Sequence, residues 1–216
     1  MSELAISPQN IKTLTSKERI VVAARDEVES KGILGLRVQD VAIKADVSVP
    51  LIYKYFVDRD GLLTEVLGQM FEAIVLENIE ASERYLNALA TASVDDFIAV
   101  MPHPRHEYRI RQRWLRTQIL AASIEIPRLR ERLSIAQAHV NQRLVHFFDA
   151  MQISFAGKMV VSSRVLALLA QSTALGFVLN DLLIDDENSP VTNEEYSQVL
   201  KIVFTAMFTP DTSIES

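Results

Sequence analysis

The stretch LRVQDVAIKADVSVPLIYKYFVDRDGLL, residues 36–63, decides the fold of this chain. Apolar residues recur at helical spacing in its first half and predict a helix of about two to three turns. These residues are Val38, Val41, Ala42 and Ala45. Polar residues occupy the other side of the same helix, so one face is expected to pack on a core and the other to meet solvent.

A tight turn and a second short helix follow. Asp46 tolerates a left-handed backbone better than most residues other than glycine, and Val47 is apolar enough to anchor the turn on the core. Ser48 is a good N-cap, and Pro50 suits the first turn of a helix, where a backbone N–H has no partner. Two short helices around such a turn are typical of a helix-turn-helix, which places its second helix in the major groove of duplex DNA.

The second helix, over about residues 48–56, has few residues for a core and several for a partner. Leu51 or Ile52 can face inward together with Phe56, and the apolar and aromatic remainder would be costly to expose unless something docks there. Phosphate and base contacts are expected from both helices, from Arg37 at the start of the first helix and from Arg59 shortly after the second. The predicted DNA-binding residues are Arg37, Gln39, Ser48, Val49, Pro50, Leu51, Tyr53, Lys54, Tyr55 and Arg59.

Over this segment the chain resembles the TetR family of transcriptional repressors. The residues that match the family pattern are Ala45, Val47, Ser48, Leu51, Ile52, Tyr53, Lys54, Tyr55, Phe56, Arg59, Asp60 and Leu62. Asp46 stands where glycine is usual, and Val49 with Pro50 where the family often has a lysine or serine beside a glycine. The resemblance implies a DNA-binding head, a body that holds a small molecule, and a homodimer on a palindromic operator in double-stranded DNA.

Charge is divided unevenly along the chain. The net charge is −6, but residues 12–63 contain nine basic and eight acidic residues, so the segment is +1 and the remainder −7. An acidic remainder keeps non-specific affinity for DNA low while local cations meet phosphates. The acidic balance therefore does not argue against DNA binding.

The composition indicates a protein with a sizeable core and a cytoplasmic location. The 216 residues are 49% hydrophobic, which supports a sizeable core. No cysteine is present, which excludes disulfides and thiolate chemistry and fits a reducing cytoplasm. The N-terminus lacks the features of a signal peptide, and the longest apolar run is too short to span a bilayer. We expect a cytoplasmic protein that does not associate with membranes.

Helical signals continue through the rest of the chain. Thr15 and Glu18 have capping-box spacing and predict a helix over about residues 16–31 that ends at Gly32. No alternating strand pattern occurs, so the predicted fold is all-α with about nine helices: a three-helix helix-turn-helix head and a larger ligand-binding and dimerisation body. The predicted domains are an arm at 1–14, the DNA-binding domain at 15–60, the body at 61–210 and a tail at 211–216.

A ligand pocket between helices of the body is implied by the family resemblance. Aromatic and methionine side chains adapt to apolar ligands, although the same spacing is also typical of plain core. The candidate pocket residues are Met70, Ile74, Phe97, Met101, Trp114, Gln118, Phe147, Phe148, Met151, Phe177 and Asn180. Asn180 and Asp181 interrupt an apolar helix and are the candidate polar anchors; Asp181 could alternatively pair with an arginine across a dimer. The expected effector is an unknown, largely apolar small molecule.

The last two helices carry the signal for dimerisation. Residues 160–184 are apolar around the whole helix and include small residues that permit close approach of a second helix. The predicted interface residues are Ala167, Ala170, Ala174, Val199, Ile202, Val203 and Met207. The alternative is a helix that lies at the centre of a monomer.

Other constellations favour no further chemistry. Arg105, Arg109, Arg113 and Arg116 line one helix face, which we interpret as a solvated face paired with acidic residues, with anion binding as the alternative. The four histidines lack metal-site spacing, and no nucleotide loop, nucleophile elbow or thiol indicates an enzyme or a cofactor. The sequence therefore predicts a DNA-binding regulator, or alternatively a helical small-molecule-binding or interaction protein that has lost DNA recognition.

Overall fold

The structure is a computed structural model that describes residues 14–88, 93–100, 104–154, 157–183 and 192–210. These residues form nine α-helices and one 3-10 helix, which confirms the predicted all-α class. In chain order they are α1 (Ser16–Gly35), α2 (Val38–Ala45), α3 (Val49–Phe56), α4 (Arg59–Asn87), α5 (Val94–Val100), α6 (Glu107–Glu125), α7 (Pro127–Ser154), α8 (Ser163–Gly176), the 3-10 helix (Phe177–Leu182) and α9 (Asn193–Met207). The predicted tail and nearly all of the predicted arm lie outside the described residues.

A pair of short strands departs from the prediction. Strand β1 (Gly157–Met159) pairs antiparallel with strand β2 (Phe208–Pro210), and Lys158 lies opposite Thr209. Strands of three residues are too short to show the alternation of apolar and polar residues by which a sequence indicates a strand. The pair joins the segment before α8 to the segment after α9.

The chain folds into two compact units, and neither is one continuous segment. The unit that we call the head contains the residues up to Phe71 together with Gln118–Ala136, and the unit that we call the body contains Glu72–Thr117 and Gln137–Ser216. The boundary predicted at residue 60 follows the DNA-binding motif. The head also includes the start of α4, the end of α6 and the start of α7, because long helices contribute side chains to more than one unit.

Helix α1 begins at the predicted capping box. The Glu18 N–H donates to Thr15 Oγ1 at 3.3 Å, and the Thr15 N–H donates to Glu18 Oε2 at 2.7 Å. At the predicted helix end, Gly32 has φ 75° and ψ 170°, which interrupts the helical backbone before a last turn reaches Gly35. Glycine suits this position because a side chain is strained at positive φ.

The core of the head is built from one face of each short helix. On α1, Ile20, Ala24 and Val28 are buried at helical spacing. Val41 from α2 and Ile52 from α3 are completely buried in the same unit. Burying an aliphatic side chain of this size contributes roughly 1.5–3 kcal/mol, so this core determines which side of α3 stays outside.

The body has a separate core that is rich in aromatic residues. Its buried members are Ile79, Phe97, Val140, Leu144, Phe147, Phe148, Met151, Leu166, Ala167 and Phe204. The rings of Phe97 and Phe204 meet edge to face at 4.8 Å between centroids, and those of Phe147 and Phe148 at 5.5 Å. The Phe97–Phe204 pair connects α5 with α9, and all four rings contribute to the wall of the cavity described below.

Candidate nucleic-acid interface and ligand cavity

The turn between α2 and α3 is a Schellman-type helix end built on aspartate. Asp46 is left-handed at φ 52° and ψ 56°, and its N–H donates to the Ile43 carbonyl at 3.2 Å. The Val47 N–H donates to the Ala42 carbonyl at 3.0 Å. Glycine is usual at such a position, and aspartate is among the few other residues that tolerate it. The turn therefore forms with aspartate at position 46, where glycine is usual.

Helix α3 begins at the predicted N-cap. The Ser48 carbonyl accepts hydrogen bonds from the N–H groups of Leu51 at 3.0 Å and Ile52 at 3.3 Å. The Ser48 hydroxyl makes no capping hydrogen bond and is exposed. Pro50 lies in the first turn, where its missing N–H costs nothing. The start of the helix thus presents a hydroxyl and a proline ring to a partner.

The two sides of α3 differ sharply in exposure. Ile52 and Phe56 are buried, whereas the side chains of Tyr53 and Tyr55 are 42% and 44% exposed. Leu51, the sequence-based alternative to Ile52 as the inward residue, is only partly buried. We call the side turned away from the head core the outer face of α3, and it consists of Val49, Pro50, Tyr53, Lys54 and Tyr55.

Arg59 uses its guanidinium within the head. Its Nε donates to the Leu36 carbonyl at 3.3 Å, and its Nη2 donates to the Ile33 carbonyl at 3.2 Å. These carbonyls lie at the end of α1, where backbone oxygens lack helical partners. Contact between Arg59 and a phosphate stays a prediction; in the structure this side chain fastens the start of α4 to the end of α1.

The exposed cations near α3 differ in what surrounds them. Lys54 and Arg37 are exposed, and within the described residues neither has a carboxylate within 4.0 Å. Gln39 is also exposed on α2. Lys44, in contrast, pairs with Asp26 at 3.2 Å. Lys54 and Arg37 can therefore contact a phosphate without first breaking an ion pair, whereas Lys44 would have to leave Asp26.

A cavity of about 390 Å³ lies within the body, in the size range of small-molecule sites. Side chains of α4 to α9 and of the 3-10 helix contribute to its wall, which is mostly apolar. Five of the predicted pocket residues lie on this wall: Ile74, Phe97, Phe147, Phe148 and Phe177. The large aromatic share of the wall suits an apolar ligand.

The remaining predicted pocket residues lie elsewhere. Met70 and Gln118 belong to the head, and Met151 belongs to the body core. Trp114 and Asn180 are in the body but not on the cavity wall, and Met101 lies outside the described residues. Helical spacing indicates which residues share a face, but it does not distinguish a face that meets a cavity from one that meets packed core.

Three arginines of α6 contribute to the cavity wall: Arg109, Arg113 and Arg116. Arg113 and Arg116 are each only 9% exposed, so the interpretation of this stripe as a solvated face is wrong for them. Burial lowers the pKa of Arg109 and of Arg116, because the charged form loses contact with water. The spacing of four and three residues correctly places these side chains on one face, but that face turns inward.

Arg113 is held by a carboxylate and a carbonyl. Its Nε donates to Asp181 Oδ2 at 2.7 Å, and its Nη2 donates to the Pro104 carbonyl at 2.6 Å and to Asp181 Oδ1. The guanidinium carbon lies 5.7 Å from the centre of the Phe177 ring. Asp181, for which a partner across a dimer was the alternative, therefore has its partner in its own chain.

Amide side chains of the cavity wall were not predicted. Gln112 and Gln171 lie on the wall; Gln112 Oε1 accepts from Asn78 Nδ2 at 3.4 Å. Gln171 Oε1 accepts from Gln137 Nε2 at 2.7 Å and from Arg116 Nη2 at 3.4 Å. The sequence does indicate such amides where a polar residue interrupts an apolar helix face, because a buried amide requires hydrogen-bond partners.

The exterior of the body carries exposed aliphatic residues along α8, the 3-10 helix and α9. We call Leu168, Leu179, Leu182, Val199 and Ile202 the apolar strip. Ser163–Leu182 is the one helical stretch in the described chain that is long and apolar enough to cross a membrane by length and composition alone, and 11% of its apolar window is buried. This outer surface is unusually apolar for one exposed to water.

The predicted interface residues are distributed over three environments. Val199, Ile202, Val203 and Ala174 are exposed, Ala170 and Met207 are partly buried, and Ala167 is buried in the body core. Ala170, Ala174, Val203 and Met207 also lie on the cavity wall. Ala167 is thus covered by its own chain, whereas the exposed group is accessible to a second copy.

A helix-turn-helix with an exposed second helix, in one chain with a helical unit that contains a cavity, is typical of DNA-binding transcriptional regulators. Residues 20–66 match the sequence model of the bacterial regulatory proteins of the tetR family. No protein of curated function matches the chain significantly.

Solved structures share the fold over nearly the whole chain. A Rhodococcus sp. protein assigned to the TetR-family transcriptional regulators is 18% identical, with a TM-score of 0.60, covering 90% of this chain and 98% of that one. The multidrug binding protein EbrR, complexed with imidazole, is 19% identical, with a TM-score of 0.55, covering 93% and 98%. A Saccharomonospora viridis transcriptional regulator in complex with choline is 16% identical, with a TM-score of 0.58, covering 89% and 97%.

The match over residues 20–66 and the shared fold confirm the resemblance to the TetR family that residues 36–63 carry. The protein is a DNA-binding transcriptional regulator.

Proposed function

We propose that the chain is a homodimeric repressor, which binds a palindromic operator and releases it when a small molecule occupies the cavity of the body. The observation that carries the proposal is the contrast within α3, whose inner residues are buried while its outer face is exposed and aromatic. We place the protein in the cytoplasm, where a regulator meets chromosomal DNA.

The outer face of α3 offers two kinds of contact to DNA. Val49 and Pro50 are apolar groups at the start of the helix that could pack on thymine methyl groups in the major groove. Tyr53, Lys54 and Tyr55 carry hydroxyl and ammonium donors suited to phosphate oxygens. In this arrangement the start of α3 contributes base preference and the remainder fixes the helix on the backbone.

Dimerisation is supported by the apolar strip. Five exposed aliphatic side chains on α8, the 3-10 helix and α9 would be costly in water, and a second copy that presents the same strip would bury both at once. Two heads related by a twofold axis match two half-sites about 34 Å apart on DNA. The proposal therefore requires a palindromic operator.

Release by a ligand is supported by the cavity and by its mostly apolar wall. Two proteins of similar fold were solved with the small molecules imidazole and choline. A ligand shifts the equilibrium only if it binds one conformation more tightly than the other. We therefore propose that the bound ligand favours a conformation that does not fit the operator.

Fluorescence anisotropy tests DNA binding directly. The probes are a palindromic fragment from beside the protein's own gene and a shuffled fragment of equal length. Lys54→Ala is expected to weaken binding to both fragments and to reduce the slope of log affinity against log salt by about one. Lys201→Ala is the matched control, because Lys201 is an exposed lysine on α9 that pairs with Asp95 at 2.7 Å. Equal affinity of the wild-type protein for the two fragments would contradict operator recognition.

Analytical ultracentrifugation tests the dimer. Ile202→Glu places a charge in the apolar strip and is expected to shift the protein towards monomer. Ile124→Glu is the matched control, because Ile124 in the head is exposed to the same extent, 69%. A wild-type protein that sediments as a monomer at micromolar concentration would remove the dimer from the proposal.

A further inference from the structure

We propose that the cavity ligand is a small amphipathic anion, whose head group binds at the arginines of α6 and whose apolar tail lies among the phenylalanines. The inference rests on the proposed function for the existence of a ligand, and it adds the charge and the polarity of that ligand.

The charge of the cavity wall favours an anion. The described residues on the wall include Arg109, Arg113 and Arg116, and no aspartate or glutamate. Asp181, which pairs with Arg113, is not itself on the wall. The described residues of the wall therefore carry positive charge and no negative charge, and charge inside a body with a mostly apolar cavity interacts strongly with an incoming ion. An anion is favoured there and a cation is opposed.

Arg109 has a buried donor on the cavity wall that lacks an acceptor among the described residues. Its Nε is buried and has no hydrogen-bond partner in the described part of the chain. A buried donor without a partner destabilises the protein, and the effect is larger for a charged group. Burial also lowers the pKa of Arg109, which is consistent with a guanidinium held away from water. An anionic oxygen in the cavity would accept from this donor and remove the penalty.

Arg113 shows which geometry the wall favours. Asp181 accepts from its Nε and Nη2 together, which is the paired arrangement that guanidinium groups form with carboxylates and phosphates. That contact and the bond to Pro104 hold the Arg113 side chain in place between Arg109 and Arg116 along α6. The guanidinium plane is thus fixed before a ligand arrives, which reduces the entropy lost on binding.

The apolar part of the wall comes from other helices. Phe97 of α5, Phe147 and Phe148 of α7 and Phe204 of α9 contribute ring surface, and Leu144 and Leu166 contribute aliphatic surface. These groups offer no polar partner to a ligand. A fully polar anion would leave these surfaces uncovered, and a fully apolar molecule would leave the Arg109 Nε without an acceptor, so a ligand with both characters fits best.

Isothermal titration calorimetry on the full-length protein tests the inference with probes of equal chain length. These are decanoate, decyl phosphate, 1-decanol and decyltrimethylammonium, each below its aggregation limit. At least one anion is expected to bind roughly 10-fold or more tightly than decanol, and the cation is expected not to bind. The comparison of decanoate with decyl phosphate then assigns the head group.

A matched pair of variants locates the head group. Arg109→Gln is expected to weaken binding of the preferred anion by roughly 10- to 100-fold while leaving decanol unchanged. Arg111→Gln is the control, because Arg111 lies on the same helix but is exposed and pairs with Glu107 at 3.0 Å. Arg109→Lys, which keeps the charge, is expected to retain more affinity than Arg109→Gln and serves if the glutamine variant does not fold.

The outcomes separate this inference from the proposed function. No binding of either anion, equal affinity for anion and decanol, or equal losses in Arg109→Gln and Arg111→Gln would overturn the inference. If decanol or the cation released the operator and the anions did not, the inference would fall and the proposed function would stand. If an anion bound through Arg109 but the protein never held an operator, the inference would stand and the proposed function would fall.

Discussion

Arg113 and Asp181 form the most completely buried ion pair in the described chain, with side chains 10% and 2% exposed. The pair joins α6 to the 3-10 helix across 68 residues of sequence. A buried pair of charges contributes little net stability when intact, because desolvation offsets the attraction. Removal of one partner, in contrast, strongly destabilises the protein, because the other charge stays buried and uncompensated.

Asp181→Ala is therefore expected to destabilise the protein by about 3 to 5 kcal/mol in urea denaturation. Asp95→Ala removes a carboxylate from an exposed pair with Lys201 and is expected to have little effect. If the charge left on Arg113 is the cause, the double variant Arg113→Met with Asp181→Leu should recover most of the loss. Equal losses in the double variant and in Asp181→Ala would assign the effect to packing instead.

Gly61 is required by a close approach of backbone at the start of α4. A Cβ at this position would lie 1.9 Å from the Phe56 carbonyl oxygen, so Gly61→Ala must displace backbone. We expect a loss of about 2 to 3 kcal/mol in the free energy of unfolding. Gly176→Ala is the control, because a Cβ there meets nothing within 4 Å and the backbone is helical. That variant should be neutral or slightly stabilising, and a similar loss in both variants would contradict the steric explanation.

Val57 occupies a strained γ-turn between α3 and α4. Its φ is 67° and its ψ −53°, and the Asp58 N–H donates to the Phe56 carbonyl at 2.8 Å. A β-branched residue is strained at positive φ, and little packing is lost on truncation because Val57 is 73% exposed. Val57→Gly is expected to raise the melting temperature, with a gain of roughly 1 kcal/mol after the entropy of glycine is subtracted.

Val160→Gly is the comparison for that variant, because Val160 is also exposed but has an ordinary negative φ. Here only the entropy cost of glycine applies, so the melting temperature is expected to fall. Equal decreases at the two positions would show that the turn at Val57 is not strained.

Asp58 gives a prediction for acid stability. The folded protein lowers the pKa of Asp58, chiefly through the hydrogen bond from Arg128 and then through the Gly61 N–H, which donates at 2.7 Å. A carboxyl whose folded pKa is lowered stabilises the protein above its unfolded pKa of about 3.9 and loses that contribution as the pH falls through the folded value.

Asp58→Asn keeps an oxygen for the Gly61 N–H but presents no charge to Arg128. The wild-type protein is therefore expected to be the more stable at neutral pH, and the difference should disappear in acid. Urea denaturation across a series of pH values measures the difference in stability at neutral pH and its loss in acid. A difference that stays constant down to the acid limit would mean that the charge of Asp58 is not responsible.

The local sequence determined the helix-turn-helix. Ser48 with Pro50 starts α3, and Asp46 forms the left-handed helix end before it. These outcomes depend on backbone preferences that act over a few residues, so the sequence was sufficient to predict them. The all-α class follows for the same reason, because helical periodicity is repeated in every long segment. The two three-residue strands escaped prediction because they are too short to carry a period.

Only the tertiary structure decided what each helix face meets. The spacing of Arg109, Arg113 and Arg116 placed them on one face of α6, yet packing turned that face toward the cavity. Arg59 was assigned to DNA by its position, and the fold directs its donors to carbonyls at the end of α1. Periodicity defines which residues share a face, but the neighbour of that face is set by chain segments tens of residues away, whose approach local preferences do not encode.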